Sequence, residues 1–89
     1  MNQWYAKAAS NRKDIMLVVY SKNNCQACDS AKALLSSRGI EFTVRNCDED
    51  FEAYNFIVAQ GLRSFPQIFD SHGNLYVKNG FKGLQEMLK

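Results

Sequence analysis

Residues 15–28 have the sequence IMLVVYSKNNCQAC, in which an apolar run precedes a polar loop and a CxxC motif. The run at 15–20 is continuous, apolar and partly β-branched, which is typical of a strand buried on both faces in the centre of a sheet. Residues 21–24 are polar and predict a short loop. The chain is therefore predicted to pass from a central strand directly to a pair of cysteines.

A helix is predicted to begin at this motif, because small and apolar residues recur there at helical spacing. The positions concerned are Cys28, Ala31, Leu34 and Leu35. Gly39 lies where a helix commonly ends. Phe42 and Val44 then alternate with polar residues across 40–46, which predicts a second strand. A strand, a helix and a strand in this order favour a parallel pair joined by a right-handed crossover.

A second helix is predicted after the acidic residues 48–50, because carboxylates suit the positive end of the helix dipole. Gly61 is predicted to end this helix. Its apolar stripe is predicted to consist of Phe51, Tyr54, Ile57 and Val58.

The last third of the chain predicts a hairpin and a final helix. Residues 67–69 and 75–78 have the composition of short strands, and the segment 70–74, DSHGN, is dense in residues that favour turns. The final helix is predicted from the spacing of Phe81, Leu84, Met87 and Leu88. The predicted fold class is α/β, with a four-stranded mixed sheet flanked by three helices in the order β-α-β-α-β-β-α.

Composition supports one domain, since the chain has 89 residues, 46% of them hydrophobic. We predict that this domain covers 15–89. Residues 1–14 are predicted to be an N-terminal extension in which Trp4, Tyr5, Ala8 and Ala9 could form one or two amphipathic turns.

Charge and hydropathy argue against two classes of partner, nucleic acids and membranes. A net charge of +2 is too small to favour nucleic acid, and the longest apolar run of six residues is too short for a membrane span. No export signal is evident at the N-terminus. We therefore expect the protein to act in the cytoplasm. We also expect it to be a monomer.

The cysteine pair predicts redox chemistry. The first turn of a helix has free N–H groups and a partial positive charge, which stabilise a thiolate, the reactive form of cysteine. Cys25 is predicted to be the nucleophile. Cys28, one turn later, would resolve the mixed disulfide. No bound cofactor is required, because the disulfide itself carries the electrons.

Two other interpretations of the cysteines stay open. A zinc site would need four ligands, and Cys47 and His72 are the other candidates, without a second CxxC or an HxxxH pair. Cys25 and Cys28 would otherwise be structural. Cys47 is predicted to be a small residue at a strand end and His72 a surface residue, so no metal is expected.

Pro66, the only proline, begins a predicted strand. A trans and a cis Phe65–Pro66 bond both fit that position. The order of strand, CxxC helix, strand, helix, proline strand, hairpin and helix resembles the glutaredoxins of the thioredoxin superfamily. The resemblance covers 15–89. It implies that Pro66 is cis and lies beside the cysteines, and that the backbone of Phe65 pairs with substrate.

Within that superfamily, five segments carry a more specific resemblance: 20–28 (YSKNNCQAC), 38–42 (RGIEF), 46–48 (NCD), 59–66 (AQGLRSFP) and 79–82 (NGFK). With these segments the chain most resembles the NrdH-redoxins. The resemblance implies an electron donor to ribonucleotide reductase that is itself reduced by thioredoxin reductase and NADPH. Phage-type glutaredoxins have a similar hairpin at 67–74, and a phage-encoded protein would act in the host cytoplasm.

Glutathione is the alternative reductant, and the substrates would then be glutathionylated proteins or general disulfides. Against it, Lys82 stands where glutaredoxins have an acidic residue, although Lys22 could pair with a glutathione carboxylate. Lys22, Arg63, Lys78 and Lys82 are predicted either to surround the site with positive charge or to be an ordinary solvated face. The residues predicted to bind substrate are Lys22, Gln26, Ala27, Arg63, Ser64, Phe65, Pro66, Gly80, Phe81 and Lys82.

Overall fold

The computed structural model describes residues 16–88. The strands are β1 (Leu17–Ser21), β2 (Phe42–Asn46), β3 (Gln67–Asp70) and β4 (Leu75–Val77). The helices are α1 (Gln26–Ser37), α2 (Phe51–Ala59) and α3 (Gly80–Met87). The predicted order of elements is confirmed. The predicted extension at 1–14, with Trp4 and Tyr5, lies outside the described residues, so the domain boundary stays a prediction.

The four strands form one mixed sheet in the order β2-β1-β3-β4. β1 runs parallel to β2, with Leu17 opposite Phe42 and Ser21 opposite Asn46. β3 is antiparallel to both β1 and β4. The predicted α/β fold with a four-stranded mixed sheet and three helices is therefore confirmed, and β1 occupies the predicted central position.

Helices cover both faces of the sheet and form a separate core on each face. On one face, apolar residues of α1 and α3 pack against the sheet; the cluster consists of Leu17, Val19, Ala31, Leu35, Ile68, Val77 and Leu84. On the other face, α2 covers a second cluster of Tyr20, Cys47, Ala53, Ile57 and Phe69. In β1, Leu17 and Val19 belong to the first cluster and Tyr20 to the second, because successive side chains of a strand point to opposite faces.

The apolar stripe predicted for α2 was wrong. Phe51, Tyr54 and Val58 are 75%, 48% and 51% exposed, and only Ile57 of the predicted stripe is buried. Ala53, Phe56 and Ile57 face the sheet instead. Apolar residues lie on both sides of this helix, and the small Ala53 together with the stacking of Phe56 on Tyr20 (5.3 Å between ring centroids) suits the inner side.

The final helix follows its prediction with one exception. Leu84 is fully buried, and Phe81 and Leu88 pack against the first cluster. Met87 is 48% exposed, because at about 100° per residue it lies at the edge of the side that Phe81, Leu84 and Leu88 turn to the core. None of the helices in residues 16–88 is long and apolar enough to cross a membrane.

Candidate functional site

Cys25 and Cys28 lie at the start of α1, just after the loop that follows β1. Cys25 is the N-cap residue of α1, with extended backbone angles, and its Sγ accepts a hydrogen bond of 3.1 Å from the N–H of Cys28. The two residues are joined by a disulfide, with their Cα atoms 5.2 Å apart. Cys25 is half-buried whereas Cys28 is completely buried. A substrate sulfur can therefore approach Cys25 more readily than Cys28.

The helix start explains why Cys25 suits nucleophilic chemistry. Its sulfur occupies the position of a capping oxygen, where free N–H groups of the first helical turn point outward. A thiolate formed there by reduction would accept the same N–H of Cys28 and would experience the positive end of the helix dipole. The local sequence thus both opens the helix and favours the charged form of its nucleophile.

A polar network holds the loop that precedes Cys25. The backbone N–H of Asn23 donates to Oδ2 of Asp48 at 2.9 Å, and Nδ2 of Asn46 donates to Oδ1 of Asn23 at 2.9 Å. The N–H of Asp48 donates to Oδ1 of Asn46. Asn24 adopts a left-handed backbone, with φ of 54°. Sequence analysis missed this network, whose only local signal is the run of turn-forming residues after each of the two strands.

The second side of the site is the loop before β3. The Phe65–Pro66 peptide bond is cis, as the resemblance implied. Nε2 of Gln67 donates to the carbonyl oxygen of Ser64 at 2.8 Å and lies 3.2 Å from its Oγ. This contact links the two ends of the segment 64–67 and so fixes Ser64 and Phe65 next to the buried Pro66.

Gly80 brings the start of α3 against this loop. A Cβ on Gly80 would lie 2.8 Å from the carbonyl oxygen of Pro66, which is closer than such contacts occur. Only glycine allows this approach without a shift of one of the two backbones. The predicted segments around Pro66 and Gly80 are therefore in direct contact.

Most of the predicted substrate-binding residues line one groove, which we call the proline groove. Its predicted members are Ala27, Ser64, Phe65, Pro66, Gly80, Phe81 and Lys82. Arg63 lines a neighbouring groove that shares Phe65 with the first. Lys22 and Gln26 are exposed near Cys25 but line neither of these two grooves. The geometry thus brings together the members of the proline groove but not all of the predicted residues, and the roles of all of them in binding stay predictions.

Three residues of the proline groove were missed: Asn79, Gly83 and Glu86. Glu86 lies one helical turn after Lys82, a spacing that could have indicated a shared face. Its carboxylate gives the groove a negative group beside the positive one. Of the four basic residues predicted to surround the site, Lys82 lines this groove, while Lys78 is exposed and does not line it.

Cys47 follows β2 and is buried in the second core cluster. Burial, reinforced by the charge of Asp50, raises the pKa of its thiol above the ordinary value. Cys47 is therefore held in the neutral, unreactive form.

His72 is exposed in the turn between β3 and β4. Among residues 16–88, no three His, Cys, Asp or Glu side chains are grouped closely enough to hold a metal ion. The zinc interpretation thus finds no support in the described part of the chain.

Comparison with known proteins agrees with this geometry. The sequence profile of the glutaredoxin family matches residues 17–73. The glutaredoxin-like protein NrdH of Salmonella typhimurium is 36% identical over 52 residues, which cover 58% of this chain and 64% of that protein. The same-named protein of Lactococcus lactis subsp. cremoris is 42% identical over 53 residues, covering 60% and 74% respectively. The matched region is thus about two thirds of these relatives.

A solved structure of an NrdH-type protein is also similar to this chain. The glutaredoxin-like NrdH-redoxin of Escherichia coli superposes with a TM-score of 0.58 at 31% identity, over 61% of this chain and 71% of that one. The cysteine pair at the start of α1, the cis-proline loop and the first three strands of the sheet lie within the matched family profile. This chain therefore belongs to the glutaredoxin family.

Proposed function

We propose that the protein is a dithiol thiol–disulfide oxidoreductase that reduces protein disulfides through Cys25 and Cys28. The observation that carries the proposal is the asymmetry of the pair. Cys25 is half-exposed at the helix start and accepts an N–H bond, whereas Cys28 is buried within bonding distance of it. One cysteine is thus placed to attack and the other to resolve.

The reaction follows from that arrangement. The Cys25 thiolate attacks one sulfur of the substrate disulfide; a mixed disulfide forms, and the other substrate sulfur leaves as a thiolate that takes a proton from water. The Cys28 thiol then loses its proton and attacks Sγ of Cys25. The second substrate thiolate leaves, so that two electrons have passed to the substrate and the Cys25–Cys28 disulfide remains. An external dithiol or two thiols must then reduce that disulfide.

The substrate is proposed to lie along the proline groove. An extended segment there would pass the backbone of Phe65, which leads into the cis Pro66, and would reach Cys25 beside Ala27. Gly80 and Phe81 would form the opposite wall. Lys22 and Gln26 would contact the substrate on the cysteine side, and Arg63 would contact it beyond Phe65.

The NrdH name of the relatives supports ribonucleotide reductase as the substrate. Thioredoxin reductase with NADPH is proposed as the electron source, because the sequence resembles the NrdH-redoxins. The cytoplasm, or the host cytoplasm for a phage-encoded protein, would supply both. Glutathione is the second candidate for the reductant, because Lys82 in the proline groove could pair with one of its carboxylates. Glu86 in the same groove opposes that pairing.

Substitution of each cysteine tests the proposed activity. Cys25→Ser is expected to abolish reduction of a protein disulfide, because no nucleophile remains. Cys28→Ser should accumulate a mixed disulfide with the substrate, detectable by non-reducing electrophoresis and mass spectrometry. Cys47→Ser is the control and should retain turnover. Full activity of Cys25→Ser would sink the proposal.

The reductant is tested in two coupled assays that follow NADPH oxidation. One contains thioredoxin reductase, and the other contains glutathione with glutathione reductase. Turnover only in the first supports the NrdH-type pathway and makes ribonucleotide reductase the next substrate to try. Turnover only in the second assigns glutathione as the donor, and Lys82→Ala should then raise the KM for glutathione.

A further inference from the structure

The outward side of α2 is the most apolar exposed surface of any helix in the described structure. Phe51, Tyr54 and Val58 are separated by three and four residues, so they lie on one side of the helix. All three are about half exposed or more. We call this surface the outer face of α2.

The outer face continues into a groove. Tyr54 and Val58 line that groove together with Gly61, Leu62, Arg63 and Phe65. Contiguous apolar surfaces of this kind commonly mark a contact with another polypeptide segment. The remaining question is which segment lies there.

The chain itself carries a suitable segment in its N-terminal extension, residues 1–14. Trp4 and Tyr5 are adjacent, and Ala8 and Ala9 follow at helical spacing. Trp4 precedes Met16 by twelve residues, a length that can span about 40 Å when extended. The longest dimension of the structure is 33 Å. The extended connection is therefore longer than the domain itself, and covalent attachment raises the effective concentration of Trp4 at the surface of the domain.

Charge favours this pairing. Residues 48–52, at the start of α2, contain four of the nine acidic residues of the chain. Asp48 and Asp50 have partners in Asn23, Arg45 and Ala53, while Glu49 and Glu52 are exposed. The N-terminal segment contains Lys7, Arg12 and Lys13 against the single acidic Asp14. Its net charge is thus opposite to that of the helix start.

We propose that the N-terminal segment docks on the outer face of α2, with Trp4 and Tyr5 against Phe51, Tyr54 and Val58. The basic residues of the segment lie toward Glu49 and Glu52. This docking covers an apolar surface that would otherwise face water, and it places an aromatic pair beside the groove that Phe65 also lines. It does not depend on the proposed redox activity.

Trp4 is the only tryptophan of the chain, so its fluorescence reports the docking directly. The experiment measures acrylamide quenching of Trp4 in the full-length protein, before and after unfolding in urea. A docked Trp4 is expected to give a blue-shifted emission and a several-fold smaller quenching constant than in urea. Equal quenching in both states would overturn the proposal.

Substitutions on the outer face locate the contact. Tyr54→Ser with Val58→Ser should move the quenching constant of Trp4 most of the way to its unfolded value, while far-UV circular dichroism stays unchanged. Met87→Ser is the matched control, since Met87 is as exposed as Tyr54 at 48%. Protection that survives the double substitution would place Trp4 elsewhere and contradict the proposal.

A charge variant tests the orientation of the segment separately, because it leaves the apolar contacts intact. Glu49→Lys with Glu52→Lys should increase quenching by neutral acrylamide at low salt, and the difference should shrink as salt screens the charges. No increase would contradict the assigned orientation. Protection of Trp4 that disappears on dilution would assign the face to a second copy of the chain and would also overturn the proposal.

Discussion

At the scale of single residues, Gly80 sets the geometry of the proline groove. Its φ of 55° lies in the left-handed region, and a Cβ there would meet the carbonyl oxygen of Pro66. Gly73 has a similar positive φ of 86°, but a Cβ there would meet nothing within 4 Å. The two glycines therefore share the same backbone requirement and differ in the close approach.

Gly80→Ala is expected to lower the turnover of a protein disulfide by roughly tenfold or more, because displacing Pro66 by a fraction of an ångström to one ångström misplaces the substrate. Gly80→Ala and Gly73→Ala should both cost about 1–2 kcal/mol of stability from backbone strain. Gly73→Ala, however, creates no close contact and should keep the wild-type turnover. Turnover is measured at a temperature where both variants are folded. Equal turnover of the two variants would contradict a special role for Gly80.

At the scale of elements, Asp50 joins β2 to the start of α2. Its Oδ1 accepts the N–H of Ala53 at 3.1 Å, and its Oδ2 accepts two hydrogen bonds from the guanidinium of Arg45. The Ala53 N–H is the main cause that lowers the pKa of Asp50 below its ordinary value, and Arg45 adds to it. One carboxylate thus caps a helix and fixes that helix to the strand before it.

This lowered pKa predicts an acid-dependent contribution to stability. The contribution is fully present above the unfolded pKa of about 3.9 and is lost as the pH falls through the lower folded pKa. Asp50→Asn keeps a capping oxygen but no charge, so its midpoint of urea unfolding should fall less steeply than that of wild type as the solution is acidified. Asp50→Ala should be less stable than Asp50→Asn at neutral pH. An unchanged pH dependence in Asp50→Asn would contradict the assignment.

At the scale of the whole molecule, one sheet carries two cores. β1 and β3 contribute to both: Leu17, Val19 and Ile68 belong to the cluster under α1 and α3, whereas Tyr20 and Phe69 belong to the cluster under α2. Neither layer of helices can separate from the sheet without exposing apolar side chains of the shared strands. We therefore expect the two cores to unfold as one cooperative unit.

Leu35→Ala and Ile57→Ala test this coupling, since each removes a buried side chain from a different core. Each is expected to lower the free energy of unfolding by about 2–5 kcal/mol. Met87→Ala, which changes an exposed side chain outside both cores, should change it by less than about 0.5 kcal/mol. In all three variants the near-UV signal of Tyr20 and its aromatic neighbours should be lost together with the far-UV signal. Separate transitions would show that the cores unfold independently.

Much of this architecture was predictable because the signals are local. The apolar run of β1, the helical spacing after Cys25 and the turn residues after β3 each depend on residues a few positions apart. The start of α1 at Cys25 and that of α2 after Asp50 could be predicted for the same reason, since a cap bonds within one turn. The cis state of Pro66 followed from the family resemblance, not from its neighbours in sequence.

Other features depend on contacts between distant segments. Phe51, Tyr54 and Val58 match helical periodicity as well as Ala53, Phe56 and Ile57 do, so periodicity alone could not choose the buried side of α2. The Asn23–Asp48 bond and the presence of Glu86 in the proline groove likewise join elements that are separate in sequence.

The sequence by itself determined the order of the elements and the helix start that Cys25 caps, because apolar periodicity, turn residues and capping act over a few neighbouring positions. Only the tertiary structure decided which side of α2 is buried and how Gly80, Pro66 and Ala27 come to line one groove. Those outcomes depend on the shape of the assembled sheet and on the approach of backbones far apart in the chain, which no local pattern encodes.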